Sequence, residues 1–123
     1  MIELVSDLGG GKTAFVRGLA KGVGSKDTVS SPSFTLSNEY HTAKLTLYHF
    51  DFYRLSEPGI MRDELADVLG QPDTVVAIEW ADIVEDVLPQ ERLRIRITPT
   101  DETKRTLLVE YPETLKYLVP INT

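Results

Sequence analysis

"IELVSDLGGGKTAFVRGL", residues 2–19, sets a short apolar run, three consecutive glycines, a lysine and a threonine, and an amphipathic stretch in immediate succession. Glycine weakens regular structure by about 0.5–1 kcal/mol, so three in a row mark a place where the chain bends tightly or lies against another group. Ile2 to Val5 has the alternation and β-branching of a strand. From Lys12 to Val23, Phe15, Val16, Leu19, Ala20 and Val23 recur at helical spacing, with Gly24 as the stop. Strand, glycine loop, helix is the order in which backbone N–H groups at a helix N-terminus cradle a phosphate.

Against the P-loop pattern G-x-x-x-x-G-K-[ST], residues 6–13 read SDLGGGKT. Gly11, Lys12 and Thr13 match, and Ser6 stands where the first glycine belongs. The cradle is made by successive N–H groups from Gly9 to Thr13, so the departure leaves the mechanism intact. Its cost is at most about 1–3 kcal/mol if residue 6 needs an unusual φ. Lys12 is placed to reach the β and γ phosphates, and the Thr13 hydroxyl to coordinate Mg²⁺. A chance glycine-rich turn is the bland reading, and the strand before and helix after weigh against it.

A P-loop needs carboxylates near the metal, supplied from the ends of neighbouring parallel strands. Asp51 follows "LTLYHF" and Glu79 follows "TVVAI", so both are candidates where ligands gather beyond the carboxyl ends of an open α/β sheet. In isolation each also reads as a solvated strand end. Trp80 beside Glu79 reads as core, and His49 as structural or partly exposed. Arg92, Arg94 and Arg96 alternate with Leu93, Ile95 and Ile97 and form one face of a strand, solvated sooner than RNA-reading.

The rest of the chain extends the α/β pattern. Residues 25–38 are rich in Ser, Thr and Pro and read as loop, with an extended piece at Phe34 to Leu36. "KLTLYHFDFYRL" gives a strand ending at Asp51, and "PGIMRDELADVLG" a helix with Pro58 near its start and Gly70 at its end. "DTVVAIEWAD" is a strand covered on both faces. After a short helical piece at Ile83 to Leu88, "RLRIRITP" and "RTLLVEYP" read as a hairpin around "TDETK", and Glu113 to Thr123 as helix. The expectation is one domain over residues 1–123: a P-loop NTPase-like three-layer fold, mostly parallel, with a C-terminal antiparallel pair.

Composition narrows the classes further. The chain has no cysteine and two histidines, which excludes disulfides, thiolate metal sites and cysteine nucleophiles and argues against zinc. A net charge of −6 argues against a surface that grips nucleic acid directly. No apolar run approaches the ~20 residues of a membrane span, and the start lacks a signal-peptide pattern, so a cytoplasmic location is expected.

With these pieces named, the sequence resembles the TsaE family, the small P-loop ATPase of bacterial threonylcarbamoyladenosine tRNA modification. The resemblance rests on "DLGGGKTAFVRGL", "SSPSFTLSNEY", "LYHFDFYRL" and "AIEW" in the family's order, and runs from Ile2 to about Leu108. It implies ATP/ADP binding by Gly9, Gly10, Gly11, Lys12, Thr13 and Ala14, Mg²⁺ coordination by Thr13 and Glu79, and a role for Asp51 near the metal. It implies a switch-like segment over residues 31–35, where Ser33 and Thr35 offer hydroxyls to the γ-phosphate. Trp80 becomes a site-adjacent residue that positions Glu79. The implied partners are TsaB and TsaD, with tRNA reached only through that complex and hydrolysis resetting it.

The chain departs from the family pattern at Ser6, at Ala14 where a second threonine is common, at Gly10 where alanine is usual, and in "EWAD", which lacks the family's proline. The family's usual first strand and helix are also expected to be missing, since Met1 lies immediately before the P-loop strand. Two other functions compete. A small-molecule P-loop kinase would need an arginine-bearing lid, for which Arg54 and Arg62 are the candidates. A catalytically silent nucleotide-binding module would need no Glu79 function. A GTPase is disfavoured because no [NT]-K-x-D segment is present.

Overall fold

A computed structural model describes residues 1–6, 11–26, 37–52 and 59–118, the side chain of Ile60 excepted. Its strands are β1 (Ile2–Val5), β2 (Ser37–His41), β3 (Thr46–Asp51), β4 (Thr74–Glu79), β5 (Leu93–Pro99) and β6 (Arg105–Glu110). Two α-helices, α1 (Lys12–Gly22) and α2 (Gly59–Leu69), and two 3₁₀ segments, Ala81–Val87 and Glu113–Leu118, complete the described elements. The six strands form one sheet in the order β2-β3-β4-β1-β5-β6.

β1 is central, parallel to β4 on one side and to β5 on the other, and β3 is parallel to β4. The chain leaves β1 toward one half of the sheet and returns to the other half with β5. The carboxyl end of β1 therefore lies at a switch point, where an open sheet leaves a crevice.

Period-two alternation divides the core cleanly. Leu4, Leu47, Ala77, Ile95 and Ile97 face α1, where Val16 and Ala20 are buried against them. Phe50, Phe52, Val76 and Ile78 face the other way, onto Leu65 of α2 and Val84 of the first 3₁₀ segment. β4 is thus covered on both faces, as its unbroken apolar run requires.

The expected hairpin forms as β5 and β6, antiparallel from Arg94↔Glu110 to Pro99↔Arg105. Four readings differ. Residues 37 and 38 are not loop: Ser37–His41 is a strand antiparallel to β3, so the sheet carries an antiparallel pair at each edge. Tyr40 is the only buried residue of β2, which leaves too little apolar alternation to mark it in the sequence. β6 is not half-exposed but exposed along nearly its whole length, Leu107 and Leu108 included, because no described element covers either side of that edge strand there. The piece read as Ile83 to Leu88 begins at Ala81 and is 3₁₀, and the tail is 3₁₀ over Glu113–Leu118. The extended piece at residues 34–36, Pro58 and the tail beyond residue 118 lie outside the described residues.

Leu47 is fully buried in the middle of the α1 face. Leu47→Ala is expected to destabilise the fold by about 2–5 kcal/mol, read as a lowered urea midpoint with unchanged slope.

Candidate functional site

The site forms where the carboxyl ends of β1, β3 and β4 meet the start of α1. The turn into α1 is made by Gly11, at φ +100°. A Cβ there would lie at ordinary contact distance, 3.7 Å from Arg105 Nε, so the constraint is the left-handed backbone and not lack of space. Among the described residues no side chain caps the helix, its first turn carries no acidic residue, and its internal bonding starts with Phe15 N–H donating to Gly11 O at 3.0 Å. The first-turn amides and the positive end of the helix dipole are thereby presented at the crevice.

Lys12 is the first helical residue and is only 7% exposed. Its Nζ donates to Ser6 O at 3.2 Å, lies 3.7 Å from Glu79 Oε1, and sits 5.6 Å from the centre of the Trp80 ring. A buried ammonium needs such company, because desolvation otherwise outweighs what it gains.

Glu79 ends β4 and is 3% exposed. It lies directly opposite Asp51 of β3 and, on its other side, Leu4 of β1, and its carbonyl accepts a further bond from Phe52 N–H at 3.1 Å. The pairing of strand ends puts Asp51, half-buried, on the same face as Glu79. Thr13 is half-buried and Ala14 exposed at the start of α1.

Sequence reasoning missed His49. Read as structural or partly exposed, it is wholly buried: it is 0% exposed, and its Nε2 lies 2.5 Å from Glu79 Oε2 while Nδ1 has no hydrogen-bond partner among the described residues. Nε2 therefore carries the hydrogen and donates it to the carboxylate. The signal that would have found it is spacing, since Leu47, His49 and Asp51 share one face of β3.

Trp80 is not core. At 38% exposed and φ 58°, it turns the chain sharply out of β4 and brings its indole beside Lys12. A left-handed backbone at a bulky residue is strained, as is common beside functional sites. Gly9 and Gly10, the switch-like Ser33 and Thr35, and Arg54 lie outside the described residues.

The arginines are placed elsewhere. Arg62 donates through Nε to Asp86 at 2.9 Å, on the α2 face of the sheet; that bond holds the Asp86 carboxyl below its usual value. Arg92 bonds Glu3 and Glu85, each at 2.9 Å, and Arg94 lies 3.7 Å from Glu3. Burial lowers the Arg92 pKa, but the bonds to Glu3 and Glu85 outweigh it and hold the guanidinium above its ordinary value. These two residues neutralise the buried Glu3 inside the sheet, so the stripe is largely structural, with Arg96 exposed.

Among the described residues no cluster of three or more His, Cys, Asp or Glu side chains is arranged to hold a metal by itself. The hard oxygen donors at hand, Thr13, Asp51 and Glu79, fit Mg²⁺, which keeps several waters and takes phosphate oxygens. They do not fit a metal that demands an all-protein cage.

The family model for TsaE, the threonylcarbamoyl adenosine biosynthesis protein, matches residues 1–107. The chain belongs to the TsaE family. The tRNA threonylcarbamoyladenosine biosynthesis protein TsaE of Bacillus subtilis is 39% identical over 107 residues, covering 87% of this chain and 66% of that protein. The TsaE of Haemophilus influenzae is 34% identical over 109 residues, covering 89% and 69%. That of Treponema pallidum is 37% identical over 109 residues, covering 89% and 80%. The chain thus spans about two thirds of the length of the first two. The crystal structure of Bacillus subtilis YdiB superposes with a TM-score of 0.72 at 34% identity, covering 95% of this chain and 72% of that one.

Removing the Glu79 carboxylate leaves Lys12 buried without its counter-charge and His49 with no acceptor. Glu79→Ala is expected to destabilise the fold by about 3–5 kcal/mol in urea unfolding, and Glu79→Gln by less, because its amide oxygen still accepts from His49.

Proposed function

We propose that this chain binds ATP with Mg²⁺ at the start of α1 and hydrolyses it as a subunit of the machinery that makes N6-threonylcarbamoyladenosine in tRNA. The observation that carries the reading is the buried Lys12 at an uncapped helix N-terminus, directly beside Glu79 and the strand end that bears Asp51. Family membership supports the biosynthetic role, since the relatives bear that description.

In this reading the amides from Gly9 to Ala14 hold the phosphates and Lys12 turns from Ser6 O to the β and γ oxygens. Thr13, Asp51 and Glu79 hold Mg²⁺, which offsets phosphate charge when bound. Ser33 and Thr35 respond to the γ-phosphate, and Trp80 orients Glu79. Hydrolysis acts on a TsaB–TsaD pair and resets it, while tRNA is met only through that pair. The proposed work is cytoplasmic, where tRNA is modified. No helix among the described residues is long and apolar enough to cross a membrane.

Two readings are separated from this one by experiment. A kinase would phosphorylate an acceptor in a screen with labelled ATP, although Arg62 is committed to Asp86. A silent nucleotide module would keep pathway activity after Glu79→Gln, the substitution that disturbs the fold less. The primary test is Mg²⁺-dependent ATP hydrolysis by the chain alone and with TsaB–TsaD. Slow turnover alone, a rise with the partners and loss of at least about tenfold in Lys12→Ala are expected. No hydrolysis in either condition by folded protein overturns the ATPase.

A further inference from the structure

Four charged or polar side chains are buried among the described residues: Glu3, Lys12, His49 and Glu79. Arg92 and Arg94 account for Glu3, and the nucleotide reading uses Lys12 and Glu79. His49 has no part in either arrangement.

We propose that His49 is a positioning residue for Glu79, holding Oε2 so that Oε1 alone addresses Lys12 and the phosphate site. The functional half of this proposal rests on the nucleotide reading above. Its geometric half rests on the 2.5 Å contact between His49 Nε2 and Glu79 Oε2 and the 3.7 Å approach of Lys12 to Oε1.

Packing alone does not explain a histidine here. The residue is wholly buried, on the strand face that carries Leu47, and Nδ1 has no hydrogen-bond partner among the described residues. An unsatisfied buried polar atom is costly, and an aliphatic side chain in that place would avoid the cost. A local rule broken inside a core is expected where a site needs the offending group.

The need follows from Lys12. In the geometry observed, Glu79 is fixed from both sides, by Lys12 at one oxygen and His49 at the other. When Lys12 turns to phosphate oxygens, one of the two restraints is withdrawn. The glutamate side chain then has rotatable bonds and a single remaining partner at its carboxylate among those two. His49 approaches from the strand next to β4, from a residue opposite Ala77, one row behind the Asp51–Glu79 pair. It grips the carboxylate from the core side, leaving the crevice side open. Outer contacts of this kind orient the groups that act directly, and their loss costs about 10–100-fold in affinity or activity.

The test compares wild type, His49→Leu and His49→Gln, whose amide restores an N–H near the position of Nε2. Three readouts are used: the proton spectrum of ¹⁵N-labelled protein, ATP–Mg²⁺ titration followed by emission of the single tryptophan, Trp80, and steady-state hydrolysis. Wild type is expected to show an imidazole N–H resonance far downfield of the amides that His49→Gln lacks. His49→Leu is expected to bind ATP within about threefold of wild type but to turn over about 10–100-fold more slowly, with His49→Gln recovering most of the loss. If the leucine variant does not fold, His49→Asn, whose amide is too short to reach Oε2, takes its place.

Turnover in the leucine variant within twofold of wild type overturns the proposal. So does a glutamine variant as slow as the leucine one, or the absence of the downfield resonance. A wild type that shows the resonance yet neither binds nor hydrolyses ATP overturns the nucleotide reading. In that case His49 is a contact of the fold alone, and its positioning role falls with it.

Discussion

The buried carboxylate of Glu79, held between the Lys12 ammonium and the His49 imidazole, is the constraint around which the rest of the structure is arranged. A carboxylate at that depth is tolerated only with donors on its oxygens, and the fold brings one from each of two elements. Lys12 comes from the first residue of α1, and His49 from the neighbouring strand β3. Both are placed by apolar packing: Val16 and Ala20 seat α1 on the sheet, and Leu47 anchors β3 beneath it. The hydrophobic core thus decides where the charges meet.

The same arrangement brings a buried lysine and a helix N-terminus to one crevice of a small, acidic chain. Its net charge is negative, yet the crevice gathers a lysine, the positive end of a helix dipole and a backbone turned by Gly11 at φ +100°. Trp80 adds an aromatic face 5.6 Å from the ammonium, at a residue whose left-handed backbone turns the chain out of β4. Glu3, buried on the opposite face of β1, has its own arginine pair, so the two acidic centres do not share counter-charges among the contacts seen.

The region matched by the TsaE family model takes in the whole crevice as far as it is described. The matched region, residues 1–107, contains the strand, loop and helix, both carboxylates and His49, whereas most of the exposed apolar surface of β6 and the following 3₁₀ segment lies beyond it. The part shared with relatives is the part that positions the crevice.

What the sequence determined by itself was whatever rests on short-range order. Glycines before a lysine and threonine, helical spacing from Phe15 to Val23 and an apolar run ending at Glu79 each reveal an element and the group at its end. Asp51 and Glu79 were legible as strand ends for that reason. Tertiary structure alone decided their partnership, because the register that sets Asp51 opposite Glu79 arises from pairing between strands far apart in the chain. It alone recruited Ser37–His41 as an edge strand, since hydrogen bonds offered by β3 outweigh a weak local preference. It alone brought Nε2 of His49 to Glu79 across 30 residues, because burial and electrostatic partnership depend on which faces meet in three dimensions, and spacing along the chain does not encode that.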